Sequence, residues 1–180
     1  MDPQRHIRNL ALIGFMGTGK TTVGQCVAQQ LRFEFLDTDH LIEARARKRI
    51  ADIFAQDGEA RFRALEREVV ADLAQRERVV VATGGGLGAN PENLASLRRH
   101  ALLVCLWATP EVIWQRVSRH AHRPLLQVPD PQARIRELLA ARAPVYKEAD
   151  VLVYSGTRQS HEVAQQVVQH FLDAYRASAR

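Results

Sequence analysis

Gly14-Phe15-Met16-Gly17-Thr18-Gly19-Lys20-Thr21 is the stretch on which the fold of this chain turns. It fits G-x-x-x-x-G-K-[ST], the P-loop pattern. The flanks fit as well. Ile7 to Ile13 before it is apolar and strand-like, and Thr22 to Leu31 after it reads as a helix, with Val23, Val27 and Leu31 at i, i+4 and i+8. A strand, a glycine-rich turn and a helix N-terminus together make an anion site: the turn aims backbone N–H groups at phosphate oxygens, and the helix dipole adds partial positive charge. Lys20 is expected to reach the β- and γ-phosphates of a nucleotide, and the Thr21 hydroxyl to hold Mg²⁺.

Outward from that loop, strands and helices alternate. Arg32 to Leu36 reads as a second strand running into Asp37-Thr38-Asp39. Residues just past the carboxyl end of a strand face the ligand crevice of an open α/β sheet. Two acids at i and i+2 point the same way if the strand persists, one suited to Mg²⁺ or its waters and the other to a hydroxyl nucleophile. The plainer alternative is that Asp37 or Thr38 caps the helix behind it. His40 to Phe54 reads as one helix, and its basic cluster Arg45, Arg47, Lys48, Arg49 as a solvated face. After the Asp57-Gly58 turn a helix is expected from Glu59 to about Leu73, with Phe62, Leu65, Val69 and Leu73 on its apolar stripe. Nothing local singles out Arg63 on it.

Arg78 to Ala82 is a third strand, β-branched and continuous as a buried parallel strand should be. It ends in Thr83-Gly84-Gly85-Gly86, a composition that makes sense where backbone must approach a ligand closely. A short helix starts at Asn90-Pro91, Ala101 to Trp107 is a fourth strand, and Thr109-Pro110-Glu111 starts a helix to about Ser118. His120 to Asp130 lacks periodicity and reads as a lid, with His120 and His122 as solvated lid residues. A helix from Pro131 to Ala141 is expected to end near Arg142, Pro144 and Tyr146. A fifth strand covers Asp150 to Tyr154, the loop Ser155 to Arg158 returns to the ligand edge, and a closing helix covers Ser160 to Ala177. The alternation throughout implies one α/β layer structure.

Bulk properties narrow the classes. The length of 180 residues suits one domain, and 46% hydrophobic with 25% charged residues is ordinary for a globular protein. No apolar run is long enough to span a membrane, and the polar start Met1 to Arg8 is unlike a signal peptide. Cys26 and Cys105 sit in apolar segments and read as small buried hydrophobes of a reducing compartment. The net charge is +5, and the only lysines are Lys20, Lys48 and Lys147. The arginines are spread along the chain without an aromatic-interleaved stripe, which favours anionic small molecules over nucleic acid.

Six segments then act together: GFMGTGKT, FLDTD, ADIFAQDGEARFRALE, VVVATGGG, HRPLL and ARAPVYKEAD. In this set and order the chain resembles the shikimate kinases over nearly its whole length. The resemblance implies a three-layer α/β/α P-loop kinase fold like that of nucleoside monophosphate kinases. Its five-stranded parallel sheet would have order 2-3-1-4-5, with a substrate-binding region at about 38–75 and a mobile lid at about 119–130. It implies ATP as co-substrate with Mg²⁺, shikimate as phosphoryl acceptor at its 3-hydroxyl, and a cytoplasmic monomer. Residue by residue, Asp39 matches the shikimate-binding aspartate and base, and Asp37 the acid that reaches Mg²⁺ through water. Arg63 and Arg142 match the carboxylate-binding arginines, Gly84, Gly85 and Gly86 the glycine run beside shikimate, and Arg123 the lid arginine over the phosphates. Arg116 and Arg158 match positions flanking the adenine. Gly14, Gly17, Thr18, Gly19, Lys20, Thr21 and Thr22 are the nucleotide-binding positions of the loop. Thr18 and Thr21 stand where serine is common in the family, and both keep the hydroxyl. Two alternatives remain from the residues alone: a P-loop kinase for another small polyol acid such as gluconate, and a non-catalytic nucleotide-binding or RNA-binding regulator.

Overall fold

A computed structural model describes residues 5–118, 126 and 128–178 of the chain. Its five strands are β1 (Asn9–Ile13), β2 (Glu34–Asp37), β3 (Val79–Ala82), β4 (Ala101–Trp107) and β5 (Val151–Tyr154). They form one sheet of order β2-β3-β1-β4-β5. Every pairing is parallel, with Leu10 opposite Val80 and Leu102, Leu36 opposite Val81, and Leu106 opposite Val153. Parallel strands need covering crossovers on both faces, so their side chains are buried in both directions. β1 and β3 are buried at every position.

Among the described residues, eight α-helices supply that cover: α1 (Lys20–Leu31), α2 (Thr38–Ala46), α3 (Ile50–Gln56), α4 (Gly58–Leu73), α5 (Pro91–Arg98), α6 (Pro110–Val117), α7 (Pro131–Tyr146) and α8 (Ser160–Ser178). Strand alternation assigns the faces. Leu10, Leu12, Val80, Val104 and Leu106 pack on α1 and α8 through Val23, Val27, Val163, Val167 and Phe171. Ala11, Ile13, Val81, Leu103 and Cys105 face the other helices through Ile42, Leu65, Val69, Leu94, Ile113 and Ile135. Each such buried aliphatic side chain contributes roughly 1.5–3 kcal/mol of transfer free energy, so the two apolar layers fix the sheet between them.

Two sequence expectations change. The helix read from His40 to Phe54 is two helices. Arg47, at φ 52, ends α2 in the left-handed conformation, and Glu43 Oε1 accepts the Ile50 N–H at 3.0 Å to begin α3. Hydrophobic spacing alone does not see that break, because Leu41, Ile42, Ile50 and Ile53 all still face the core. The helix starting at Pro131 carries Pro144 within its last turn and ends at Tyr146, inside the expected Arg142 to Tyr146 end. Cys105 is buried, whereas Cys26 is half-buried; both are free thiols.

The carboxyl ends of all five strands open on the same edge, where a doubly wound sheet binds ligands. The P-loop follows β1, Asp37 to Asp39 follows β2, Thr83 to Gly86 follows β3, Ala108 follows β4 and Ser155 follows β5. β1 lies between β3 and β4, so the chain leaves the centre on one side and returns on the other at the P-loop.

Candidate active site

The P-loop is a built cradle. Gly14 has φ 135, and a Cβ there would lie 2.2 Å from the Leu106 carbonyl oxygen, so the loop can press against β4 only as glycine. Lys20 folds back along the loop and donates from Nζ to the carbonyls of Gly14 at 3.0 Å and Phe15 at 2.9 Å. Thr18 is buried and its hydroxyl donates to the Phe15 carbonyl at 2.8 Å, so its side chain braces the loop. Gly17, Gly19 and Thr22 line a cavity of about 220 Å³ beside the loop.

Beyond the loop, Thr21 and the acids meet. Thr21 Oγ1 donates to Asp37 Oδ2 at 3.1 Å, while Asp37 Oδ1 accepts the Asp39 N–H at 3.0 Å. One carboxylate therefore both caps α2 and touches the P-loop threonine. The two acids do not share a direction through strand alternation. β2 stops at Asp37, and the first turn of α2 carries Asp39 to the site. Burial, then the nearby Asp37 carboxylate, pushes the Asp39 carboxyl up to about 6 against the pull of Lys20. Among the described residues no group of three or more His, Cys, Asp or Glu could hold a metal by itself. The Thr21 hydroxyl and Asp37 carboxylate are the hard oxygens that suit a magnesium ion sharing its shell with phosphate oxygens.

The glycine run after β3 organises the other half. Thr38, fully buried, accepts the Gly84 N–H on its hydroxyl at 2.8 Å, which ties the run to the start of α2. A Cβ on Gly84 would lie 2.1 Å from Asp39 Oδ1, and one on Gly86 would lie 2.7 Å from Arg63 Nη1. Between them, the Gly85 carbonyl accepts Arg142 Nη1 at 3.1 Å. Three successive glycines thus meet three side chains from three helices: Asp39 of α2, Arg142 of α7 and Arg63 of α4. The Arg142 guanidinium also lies 5.4 Å from the centre of the Phe15 ring, so the P-loop supplies an aromatic floor for it.

Arg63 is held by its own helix. Nη2 donates to Glu59 at 2.9 Å and Nη1 to Glu66 Oε2 at 2.8 Å. Glu66 is buried at 2% exposure, and burial pushes its carboxyl upward while Arg63 opposes the shift. Glu66, Thr38 and Phe15 escaped the sequence reading. Glu66 left a signal there, for it falls on the apolar stripe of Phe62, Leu65 and Val69, where an unpaired acid would be costly.

Toward β5, Arg116 of α6 lines the 220 Å³ cavity with Arg158. Arg116 donates to the carbonyls of Gly17 at 3.0 Å, Ser155 at 2.7 Å and Gly156 at 2.6 Å. Arg158 bonds the side chain of Gln166 and the carbonyl of Glu162. The exposed Trp107 ring packs at a tilt against Tyr154, with ring centres 4.7 Å apart, and the Tyr154 hydroxyl lies against Gly156. Arg123, His120 and His122 of the expected lid lie outside the described residues.

A phosphate-binding turn after β1, the half-buried Asp39 carboxyl near it, and a glycine run met by Arg63 and Arg142 define a P-loop kinase acting on a small molecule. A model of the family described as shikimate kinase matches residues 16–172. The chain belongs to the shikimate kinase family. It is 45% identical over 166 residues to a shikimate kinase of Caldanaerobacter subterraneus subsp. tengcongensis, covering 92% of this chain and 97% of that one. The solved shikimate kinase of Acinetobacter baumannii in complex with shikimate superposes with a TM-score of 0.86 at 38% identity, over 93% of this chain and 94% of the other. A gluconokinase of Sinorhizobium meliloti 1021 superposes with a TM-score of 0.63 over 96% of this chain and 95% of the other, at 17% identity, a likeness of fold alone.

Proposed function

We propose that the chain transfers the γ-phosphoryl group of MgATP to the 3-hydroxyl of shikimate, giving shikimate 3-phosphate and ADP. The observation that carries this reading is the glycine run flanked by Asp39, Arg142 and Arg63. One carboxylate and two guanidiniums around a surface without side chains suit a molecule with a carboxylate and several hydroxyls. The complex of the Acinetobacter relative with shikimate supports the same acceptor.

Arg63 and Arg142 bind the acceptor carboxylate, where the planar guanidinium offers paired donors that lysine lacks. Asp39 orients the 3-hydroxyl and takes its proton as the new O–P bond forms. Phosphoryl transfer passes through a loose transition state, so positioning and charge stabilisation supply most of the catalysis. Lys20 and the P-loop N–H groups hold the phosphates, and Arg123 of the lid adds positive charge over them. Thr21 and Asp37 hold Mg²⁺, which neutralises phosphate charge when bound. Thr22, Arg116 and Arg158 line the nucleoside side. The two free thiols support a reducing, cytoplasmic setting, and the chain is read as a monomer.

ADP release from MgATP, measured with shikimate, with gluconate and without acceptor, tests the reading. Release that depends on shikimate is the expected result. Release driven by gluconate would keep the fold and overturn the acceptor. Nucleotide binding without acceptor-dependent release would favour a non-catalytic regulator.

A further inference from the structure

Ser155 lies just past β5, at 3% exposure, and spends its hydroxyl away from the cavity it helps to line. Its Oγ donates to the Thr18 carbonyl at 2.8 Å, with the Trp107 carbonyl at 3.2 Å, while its own N–H is bonded to Trp107 O at 2.9 Å. Arg116 holds the preceding P-loop carbonyl, that of Gly17, and closes the network on Ser155 O and Gly156 O. Two consecutive P-loop carbonyls are therefore drawn toward the loop between β5 and α8. In a planar trans peptide the N–H points opposite to the C=O. Fixing Gly17 O keeps the Thr18 N–H on the Phe15 carbonyl at 3.4 Å within the turn, and fixing Thr18 O aims the Gly19 N–H away from that loop, toward the turn's interior where an anion is cradled. The constraint has something to resist. Gly17 and Gly19 sit at φ 76 and φ 92, and peptide groups flanked by left-handed glycines rotate over cheaply. A rotated 18–19 peptide would present a carbonyl oxygen to a phosphate.

We infer that Ser155 is a positioning residue for phosphoryl-donor binding: through Thr18 O, and with Arg116 through Gly17 O, it holds the P-loop peptides in the orientation that accepts phosphate. The inference rests on the reading that the P-loop takes nucleotide phosphates and is independent of which acceptor is used. It makes the β5–α8 loop a determinant of phosphate affinity as well as of the nucleoside pocket.

The test compares Ser155→Ala with the parent for three ligands: MgADP, inorganic tripolyphosphate with Mg²⁺, and shikimate. Tripolyphosphate carries the phosphates without a nucleoside. Loss of one buried hydrogen bond should weaken MgADP and tripolyphosphate by similar factors, about tenfold each, with shikimate affinity unchanged and KM for ATP rising more than kcat falls. Weakening of MgADP with tripolyphosphate unaffected would mean that Ser155 serves the nucleoside directly and would overturn the inference. Unchanged MgADP affinity, or an equal loss for shikimate, would overturn it too. Should Ser155→Ala fail to fold, Ser155→Cys keeps the shape with a weaker donor and is expected to lose about threefold for both phosphate ligands; full affinity in that variant sinks the proposal. A parent enzyme that binds MgADP but whose turnover does not depend on shikimate would count against the acceptor assignment alone, while the comparison of Ser155→Ala with the parent would still decide the inference.

Discussion

Asp39 carries two conflicting demands. A carboxyl pushed up to about 6 is a serviceable proton acceptor near neutral pH, but its ionised form is held in a place that disfavours it. The activity should therefore fall as pH drops: log kcat/KM is expected to decline with unit slope below about pH 6 in a pH–rate profile. Asp39→Asn should lower kcat by roughly 10²–10⁴-fold while leaving MgADP affinity within twofold or so by calorimetry; near-normal turnover would remove Asp39 from the base role. Stability should move the other way. Because the folded pKa lies above the ordinary carboxylate value, the folded state binds the proton more tightly. The ionised group therefore destabilises the fold, fully above about pH 6 and not at all below about pH 4. Asp39→Asn is expected to raise the melting temperature at pH 7.5 by about 2–5 °C, with the gain vanishing toward pH 4.

At the level of elements, the glycine run and α4 work as one device. Glu59 and Glu66 hold Arg63 from its own helix, and Gly86 leaves it room. Arg63→Lys keeps the charge but loses the fork, and KM for shikimate should rise about 10–100-fold with nucleotide affinity unchanged. Gly86→Ala should have the same signature, since its Cβ would push the guanidinium aside; a steady-state analysis varying each substrate separates the two effects. Unchanged shikimate KM in both variants would remove Arg63 from the carboxylate clamp. This device was only half legible in the sequence. The strand ends and the P-loop announce themselves through hydrophobic runs and glycine spacing, so all five strands and their shared edge follow from local pattern. Which helix residues meet at that edge is a tertiary matter: Arg63 looks like any surface arginine until α4 packs against α2. The break at Arg47 was hidden for the same reason, since it leaves the apolar spacing intact. Glu66, an acid on an apolar stripe, was the one buried partner whose position already conflicted with its chemistry.

Across the whole molecule the sheet has two poles with different duties. The carboxyl edge carries the site, and the opposite edge carries a buried polar knot. Asn9 Nδ2 donates to the Arg76 carbonyl at 2.7 Å and meets His100 Nδ1 at 3.0 Å, while Asn9 Oδ1 accepts the Val79 N–H at 3.1 Å. Both side chains are nearly fully buried. Burial above all, then Arg8, Arg99 and Arg5, drives the His100 imidazole down to about 4. His100 is neutral in the fold and charges first in the unfolded chain. Its contribution is thus complete above about pH 6.5 and is lost as pH falls toward 4. A ring-proton NMR titration should find His100 still neutral at pH 5; a midpoint near 6.5 would show that the knot opens readily. Asp39 works in the opposite sense over an overlapping range, so the melting temperature of the parent should change less with mild acid than that of Asp39→Asn.

Trp107 gives this enzyme a built-in optical gauge. Its backbone carbonyl holds Ser155, its exposed indole packs against Tyr154, and Tyr154 rests on Gly156, whose carbonyl Arg116 grips. Occupancy of the neighbouring cavity therefore bears on the surroundings of a solvent-facing fluorophore. The second tryptophan, Trp114, is half-buried against the core and supplies a steadier background. Donor binding should be readable from native emission in real time, with neither label nor coupled assay.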